Sequence, residues 1–190
     1  MFTEPSEPAL TPPPEEHQAC LGLGSNVEAA SNLRRAIRRL RKLVVVDAIS
    51  TAWQSPSVGV DGPDYINGAV LVRTPHPKEK LMTELRELES ELGRERDYRS
   101  APLVTIDIDL LVFDHESIKV DLWSQVYRAA PVAELLPDLR CPSTGETVSH
   151  AAIRLAASLP ITPRPEIFSH SSRTGTSRTN AASHNRTRTP

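Results

Sequence analysis

Two carboxylates two residues apart carry the clearest chemical signal in the chain. They are Asp107 and Asp109, inside the run Thr105-Ile106-Asp107-Ile108-Asp109-Leu110-Leu111-Val112-Phe113. Residues 105–113 read as a strand, on which successive side chains point to opposite faces. Thr105, Asp107 and Asp109 then share one face, and Ile106, Ile108 and Leu110 the other. At strand rise the two acids stand about 6.5–7 Å apart. Like charges that close repel, and a divalent cation between them removes the repulsion. Carboxylate oxygens suit Mg²⁺, which takes one or two of them and completes its shell with substrate phosphates and water. The same alternation also fits an ordinary solvated sheet face. Just upstream, Gly93-Arg94-Glu95-Arg96 leaves a leucine-striped segment. Arginines there can answer a helix dipole or clamp phosphate oxygens through their planar forks. Arginines beside a paired-acid strand match what phosphoryl transfer needs.

The elements that must position these groups follow from periodicity. Residues 19–23 are a short apolar strand entering Gly24-Ser25-Asn26. Leu33, Ala36, Ile37, Leu40 and Leu43 are spaced three and four apart, with Arg34, Arg35, Arg38, Arg39 and Arg41 between them, which predicts an amphipathic helix. Residues 44–53 are β-branched and read as a strand. Residues 55–64 hold Pro56, Gly59, Gly62 and Pro63 and read as a loop, and residues 65–73 as another strand. Leu81, Leu85, Leu88 and Leu92 stripe a second helix, with Gly93 placed to stop it. Short helices are expected at residues 131–136 and 148–158. The order strand, helix, strand, strand, helix, strand predicts an α+β fold: a ferredoxin-like βαββαβ sandwich, its antiparallel sheet backed by helices on one face and open for a substrate on the other. Fold alone does not name the chemistry.

The chain has 190 residues, a net charge of −2 and 24% charged residues. That balance argues against a nucleic-acid or membrane-surface partner, and no apolar run approaches the roughly 20 residues of a membrane span. Residues 1–17 are rich in Pro and Glu, lack the features of a secretory signal, and are expected to be a disordered tail. Residues 160–190 are rich in Ser, Thr and Arg and are expected to be a second, basic one, leaving residues 18–159 as the folded domain. Cys20 and Cys141 belong to no C-x-x-C pair and read as reduced thiols of a cytoplasmic protein.

Five short segments occur in a telling order: Leu23-Gly24-Ser25-Asn26, Tyr65-Ile66-Asn67-Gly68-Ala69-Val70, Leu92-Gly93-Arg94-Glu95-Arg96, the Asp107/Asp109 strand, and Pro131-Val132-Ala133-Glu134-Leu135-Leu136-Pro137-Asp138. In order and spacing they resemble the 6-hydroxymethyl-7,8-dihydropterin pyrophosphokinases of folate synthesis, over about residues 19–140. The resemblance implies a monomeric cytoplasmic transferase whose partners are ATP and a reduced pterin alcohol. Asp107 and Asp109 would hold two Mg²⁺ ions bound with ATP, and Arg94 and Arg96 would contact phosphate oxygens. Asn67 would hydrogen-bond the pterin edge and Tyr65 shape its wall. Ser55, Pro56 and Val58 would belong to the pterin-contacting loop, Tyr127 would stack on the ring, and Gly24 would let the backbone approach it. Gly24 as a plain turn glycine, and Tyr65 and Tyr127 as core residues, remain alternatives.

The sequence also departs from that pattern. Val104 stands where the family has a phosphate-contacting arginine, Ala101 where a loop tryptophan covers the pterin, and Gln125 where a further arginine falls. Lys119-Val120-Asp121-Leu122-Trp123 replaces a Pro-His pair. Arg99 and Arg128 are candidate stand-ins for the missing cations. The readings that remain at this level are the pyrophosphokinase; a variant acting on a related pterin of tetrahydromethanopterin-type synthesis; a pterin- or nucleotide-binding paralogue without turnover; and a scaffold that works through its tails.

Overall fold

The computed structural model describes residues 16–57, 59, 61–94 and 103–169. The elements run β1 (His17–Ser25), α1 (Ala29–Leu43), β2 (Val45–Ile49), β3 (Trp53–Ser55), β4 (Tyr65–Thr74), α2 (Lys78–Glu91), β5 (Asp107–Phe113), β6 (Glu116–Ser117), a 3₁₀ turn (Val120–Trp123), α3 (Val126–Leu135), α4 (Val148–Ala156), β7 (Thr162–Pro163) and a second 3₁₀ turn (Pro165–Ile167). All seven strands join one sheet in the order β6-β5-β1-β4-β3-β7, with β2 also paired to β4. The central order β5-β1-β4-β2 and its antiparallel pairings give the ferredoxin-like arrangement.

One sheet face is built as the periodicity dictates. The α1 stripe Leu33, Ala36, Ile37 and Leu40 and the α2 stripe Leu81, Leu85 and Leu88 pack with Leu21, Leu23, Val70, Ile108 and Leu110 into the main core. Gly93 ends α2 at φ +91°, a left-handed conformation that glycine adopts freely.

The other face is not simply open. Leu122, Ala129, Val132 and Val148, from the first 3₁₀ turn, α3 and α4, cover Cys20, Ala69 and Val112 there. Beside this third layer, the end of the sheet that carries Gly22, Gly24, Asn67, Asp107 and Asp109 lines a cavity. Helix α3 starts at Val126 rather than at Pro131. Proline favours the first position of a helix, but Pro131 is buried inside this one, where it removes a single backbone donor. The stretch read as one strand over residues 44–53 is two, because Ser50 interrupts it: its Oγ accepts from the Ala69 N–H at 2.8 Å.

The first ten residues of the basic tail expected from residue 160 are folded. Residues 160–169 belong to the fold: β7 pairs with β3, Ile167 is buried, and Arg34 of α1 donates from Nε to the Ile167 carbonyl at 2.7 Å. A Cβ on Gly68 would lie 2.6 Å from the Phe168 ring, so the bare glycine is what admits that ring against β4. Residues 1–15 and 170–190 lie outside the described residues, and both cysteines are free. Among the described residues no helix is long and apolar enough to cross a membrane.

Candidate active site

Strand register builds the site. Asp107 on β5 pairs with Gly24 on β1, Gly24 pairs with Asn67 on β4, and Asn67 pairs with Trp53 on β3. One register step along, Asp109 pairs with Gly22, which pairs with Ala69. With strands about 4.8 Å apart, the backbones of Asp107 and Asn67 are about 10 Å apart across a glycine floor. That floor has no room for side chains. A Cβ on Gly24 would come 3.0 Å from Asn67 Oδ1, and one on Gly22 would come 2.8 Å from Leu111 Cδ1. A cavity of about 240 Å³ lies over this floor, with Asp107, Asp109 and Arg128 among its lining residues and Tyr65, Asn67 and Tyr127 among the others.

The two carboxylates meet different surroundings. Asp107 has a side chain 39% exposed and, among the described residues, one guanidinium against it, Arg94 Nη2 at 3.1 Å. Arg94 is itself held by its Nη1 donating to the Ile106 carbonyl at 3.0 Å. Burial pushes Asp107 above the usual carboxylate range and the charge of Asp109 adds to that, while Arg94 offsets part of it. Asp109 is 22% exposed and meets two cations: Lys119 Nζ at 2.9 Å from one oxygen and Arg128 Nη1 at 2.8 Å from the other. Burial raises Asp109 too, but the hydrogen bond from Lys119 and the charge of Arg128 outweigh it, and the carboxyl sits below its ordinary value.

Mg²⁺ fits this donor set. Both carboxylates face one cavity with free space beside them. Among the described residues no three His, Cys, Asp or Glu side chains gather into a closed cage. Two carboxylates without a cage suit an ion that keeps water and substrate phosphates as its remaining ligands.

At the other end, Asn67 is 9% exposed and its Nδ2 donates to Ser55 Oγ at 3.1 Å, which fixes the amide's orientation. Ser55, Pro56 and Ser57 line the same cavity. Ser57 Oγ is buried with no hydrogen-bond partner, as expected of a group that a ligand completes. Burial raises the Tyr65 phenol, with Arg94 opposing and Asp107 and Tyr127 assisting; Tyr65 lines the cavity together with Asp107 and Tyr127. The structure thus brings together Gly24, Ser55, Pro56, Tyr65, Asn67, Asp107, Asp109 and Tyr127 around one cavity, with Arg94 on its acid. Val58 and Arg96 lie outside the described residues, as do Arg99 and Ala101.

The sequence profile of the family described as 7,8-dihydro-6-hydroxymethylpterin-pyrophosphokinase (HPPK) matches residues 20–149. The chain belongs to this family. A pyrophosphokinase of Bacillus subtilis (strain 168), named for 2-amino-4-hydroxy-6-hydroxymethyldihydropteridine, is 28% identical over 149 residues, covering 72% of this chain and 89% of the relative. The Pseudomonas aeruginosa protein of the same name is 33% identical over 134 residues, covering 64% and 82%. A crystal structure of wild-type Plasmodium falciparum HPPK-DHPS shares the fold with a TM-score of 0.63 at 11% identity, over 75% of this chain and 42% of that one. This chain therefore spans under half the length of that protein. The HPPK match ends before β7 and Phe168.

Several positioning contacts in this chain escape sequence reasoning, although Asn26 and Glu134 lie within the segments that carry the resemblance. Glu89 of α2 is buried and its Oε1 accepts the Ile108 N–H at 2.8 Å, capping the outer edge of β5 between the two aspartates. It lies four residues after Leu85, so an acid on the apolar stripe was the available signal. Glu134 accepts from the Thr51 N–H at 2.8 Å and from Trp53 Nε1 at 2.7 Å, latching α3 to the start of β3. Asn26 Oδ1 accepts the Val104 N–H at 2.6 Å, joining the end of β1 to the approach to β5. Lys119 drew notice only as a departure from the family pattern.

Proposed function

We propose that this chain transfers a diphosphate group from ATP to the hydroxymethyl group of 6-hydroxymethyl-7,8-dihydropterin, releasing AMP in folate-type biosynthesis. The observation that carries the reading is the row Asp107–Gly24–Asn67, which sets an acidic corner and a fixed amide on one glycine floor. In the step, the pterin hydroxyl oxygen bonds to the β-phosphorus of ATP. The bond from that phosphorus to the α–β bridging oxygen breaks, AMP departs with that oxygen, and the hydroxyl proton is released to solvent.

Each residue's work follows from its place. Asn67, pinned by Ser55, presents its amide to the pterin edge. Tyr65 and Tyr127 wall the ring, the residue 55–58 loop contacts it, and Gly24 lets it lie close to the sheet. Arg94 and Arg96 bring guanidinium donors to the phosphates. Asp107 and Asp109 would hold two Mg²⁺ ions, which when bound neutralise the triphosphate and the charge that develops on it. Catalysis then rests on alignment and prearranged charge rather than on a covalent intermediate. A monomeric, cytoplasmic enzyme is part of the same proposal.

The test is an AMP-release assay with each component omitted in turn. AMP should form only when ATP, Mg²⁺ and the hydroxymethyl-dihydropterin are all present. Binding of the pterin without AMP release under those conditions would defeat the catalytic reading.

A further inference from the structure

Asp109 is the more crowded of the two aspartates, although both face the same cavity. Lys119 Nζ and Arg128 Nη1 each take one of its oxygens, at 2.9 and 2.8 Å. A divalent ion on that carboxylate would bring two more positive charges within a few ångströms of an ammonium and a guanidinium. One carboxylate cannot balance all of them, so the side-chain cations must leave when the ion arrives.

The structure also provides for their leaving. Lys119 is anchored by its backbone, its carbonyl accepting from Ser117 Oγ and the Leu122 N–H, so only its flexible stem has to swing. Arg128 lines the cavity from the first turn of α3. Its Nε is buried without a hydrogen-bond partner, and the nearest oxygen of Asp121 is 3.6 Å away, too far to accept. The guanidinium therefore spends Nη1 on Asp109 and is held by no hydrogen bond through Nε.

We propose that Lys119 and Arg128 are exchangeable counter-cations of Asp109: they hold it in the empty enzyme, yield it to the divalent ion, and then bind the polyphosphate that the ion accompanies. The pair thereby supplies the positive charge that Val104 and Gln125 do not. The polyphosphate half of the proposal rests on the pyrophosphokinase reading, and the metal half does not.

The two halves predict opposite signs for one substitution. Calorimetric titration of Mn²⁺ alone should show Lys119→Met and Arg128→Met binding the ion about three- to tenfold more tightly than wild type, since a competing ion pair is gone. Titration with Mg²⁺ and the α,β-methylene analogue of ATP should show both variants binding about tenfold more weakly. Lys119→Arg should restore much of the nucleotide affinity, and Asp109→Asn should abolish the gain in Mn²⁺ affinity. Unchanged or weaker Mn²⁺ binding in the variants would overturn the exchange. Tighter Mn²⁺ binding with unchanged nucleotide affinity would overturn the transfer to polyphosphate. If Arg128→Met does not fold, Lys119→Met decides, because its side chain is 41% exposed. A wild-type protein that ignored the ATP analogue would sink the function reading, while the Mn²⁺ arm would still judge the exchange.

Discussion

Asp107 and Asp109 share a strand and a cavity, yet their electrostatic surroundings are opposite. Among the described residues Asp107 has one guanidinium against its carboxylate, and it is raised by burial and by its neighbour's charge. Asp109 has two cations and is lowered in spite of burial. A pair that looks symmetric along the strand is thus divided into one acid that is costly to ionise and one held ionised. The difference teaches that the cations' placement, rather than the strand, decides what each carboxylate contributes.

The largest effect should be common to both. Asp107→Asn and Asp109→Asn should each lower the AMP-release rate about 10²–10³-fold, the range seen when one prearranged charge-stabilising group is removed. Full turnover in either variant would break the assignment of the pair as metal ligands. Smaller and different in kind is the effect at the far end of the row. Asn67→Ala should raise KM for the pterin about ten- to hundredfold and change KM for ATP little, because the lost hydrogen bonds are to the ring. An equal loss for both substrates would mean that Asn67 serves the sheet and not the pterin.

Finest is the contrast in stability, which sharpens the comparison directly. A carboxyl raised in the folded protein favours the fold when protonated, and that contribution is lost as pH rises through its folded value. At neutral pH Asp107→Asn should therefore be as stable as wild type or more so. A lowered carboxyl works the other way: its contribution is present above the ordinary value of 3.8 and lost as pH falls through the folded value. Asp109→Asn should be less stable than wild type at pH 7, with the gap closing in acid. Solvent reaches both side chains, so each difference should stay under about 1 kcal/mol. Thermal melts of the two variants from pH 7 down to pH 3 measure it, and shifts of the same sign would show that the two sites are not electrically distinct.

What could be read beforehand was whatever repeats. Leu81, Leu85, Leu88 and Leu92 recur at helical spacing, and Ile106, Ile108 and Leu110 alternate against Asp107 and Asp109, so both the main core and the facing of the acids follow from order alone. Two-residue strands such as β6 and β7 have no period to detect. Ile167 and Phe168 are two apolar residues in a polar stretch, too few to announce that they pack. Lys119, Glu89, Glu134 and Asn26 matter through partners between 10 and 83 residues away, as with Lys119 to Asp109 and Thr51 to Glu134. Separations of that kind are set by the tertiary fold and leave no local mark. The motifs point to Asp107 and Asp109, but not to the two cations that lie against Asp109.

The position of Phe168 has a practical bearing on how this enzyme is handled. Its ring fills the notch that Gly68 leaves, next in the chain to Asn67, while β7 borders β3 and so steadies the base of the loop that follows Ser55. Cutting the chain back to residues 20–149, the span the family profile matches, would expose that notch and turn β3 into a bare margin. The stretch that the family profile matches stops short of the chain that borders β3 and fills the notch at Gly68.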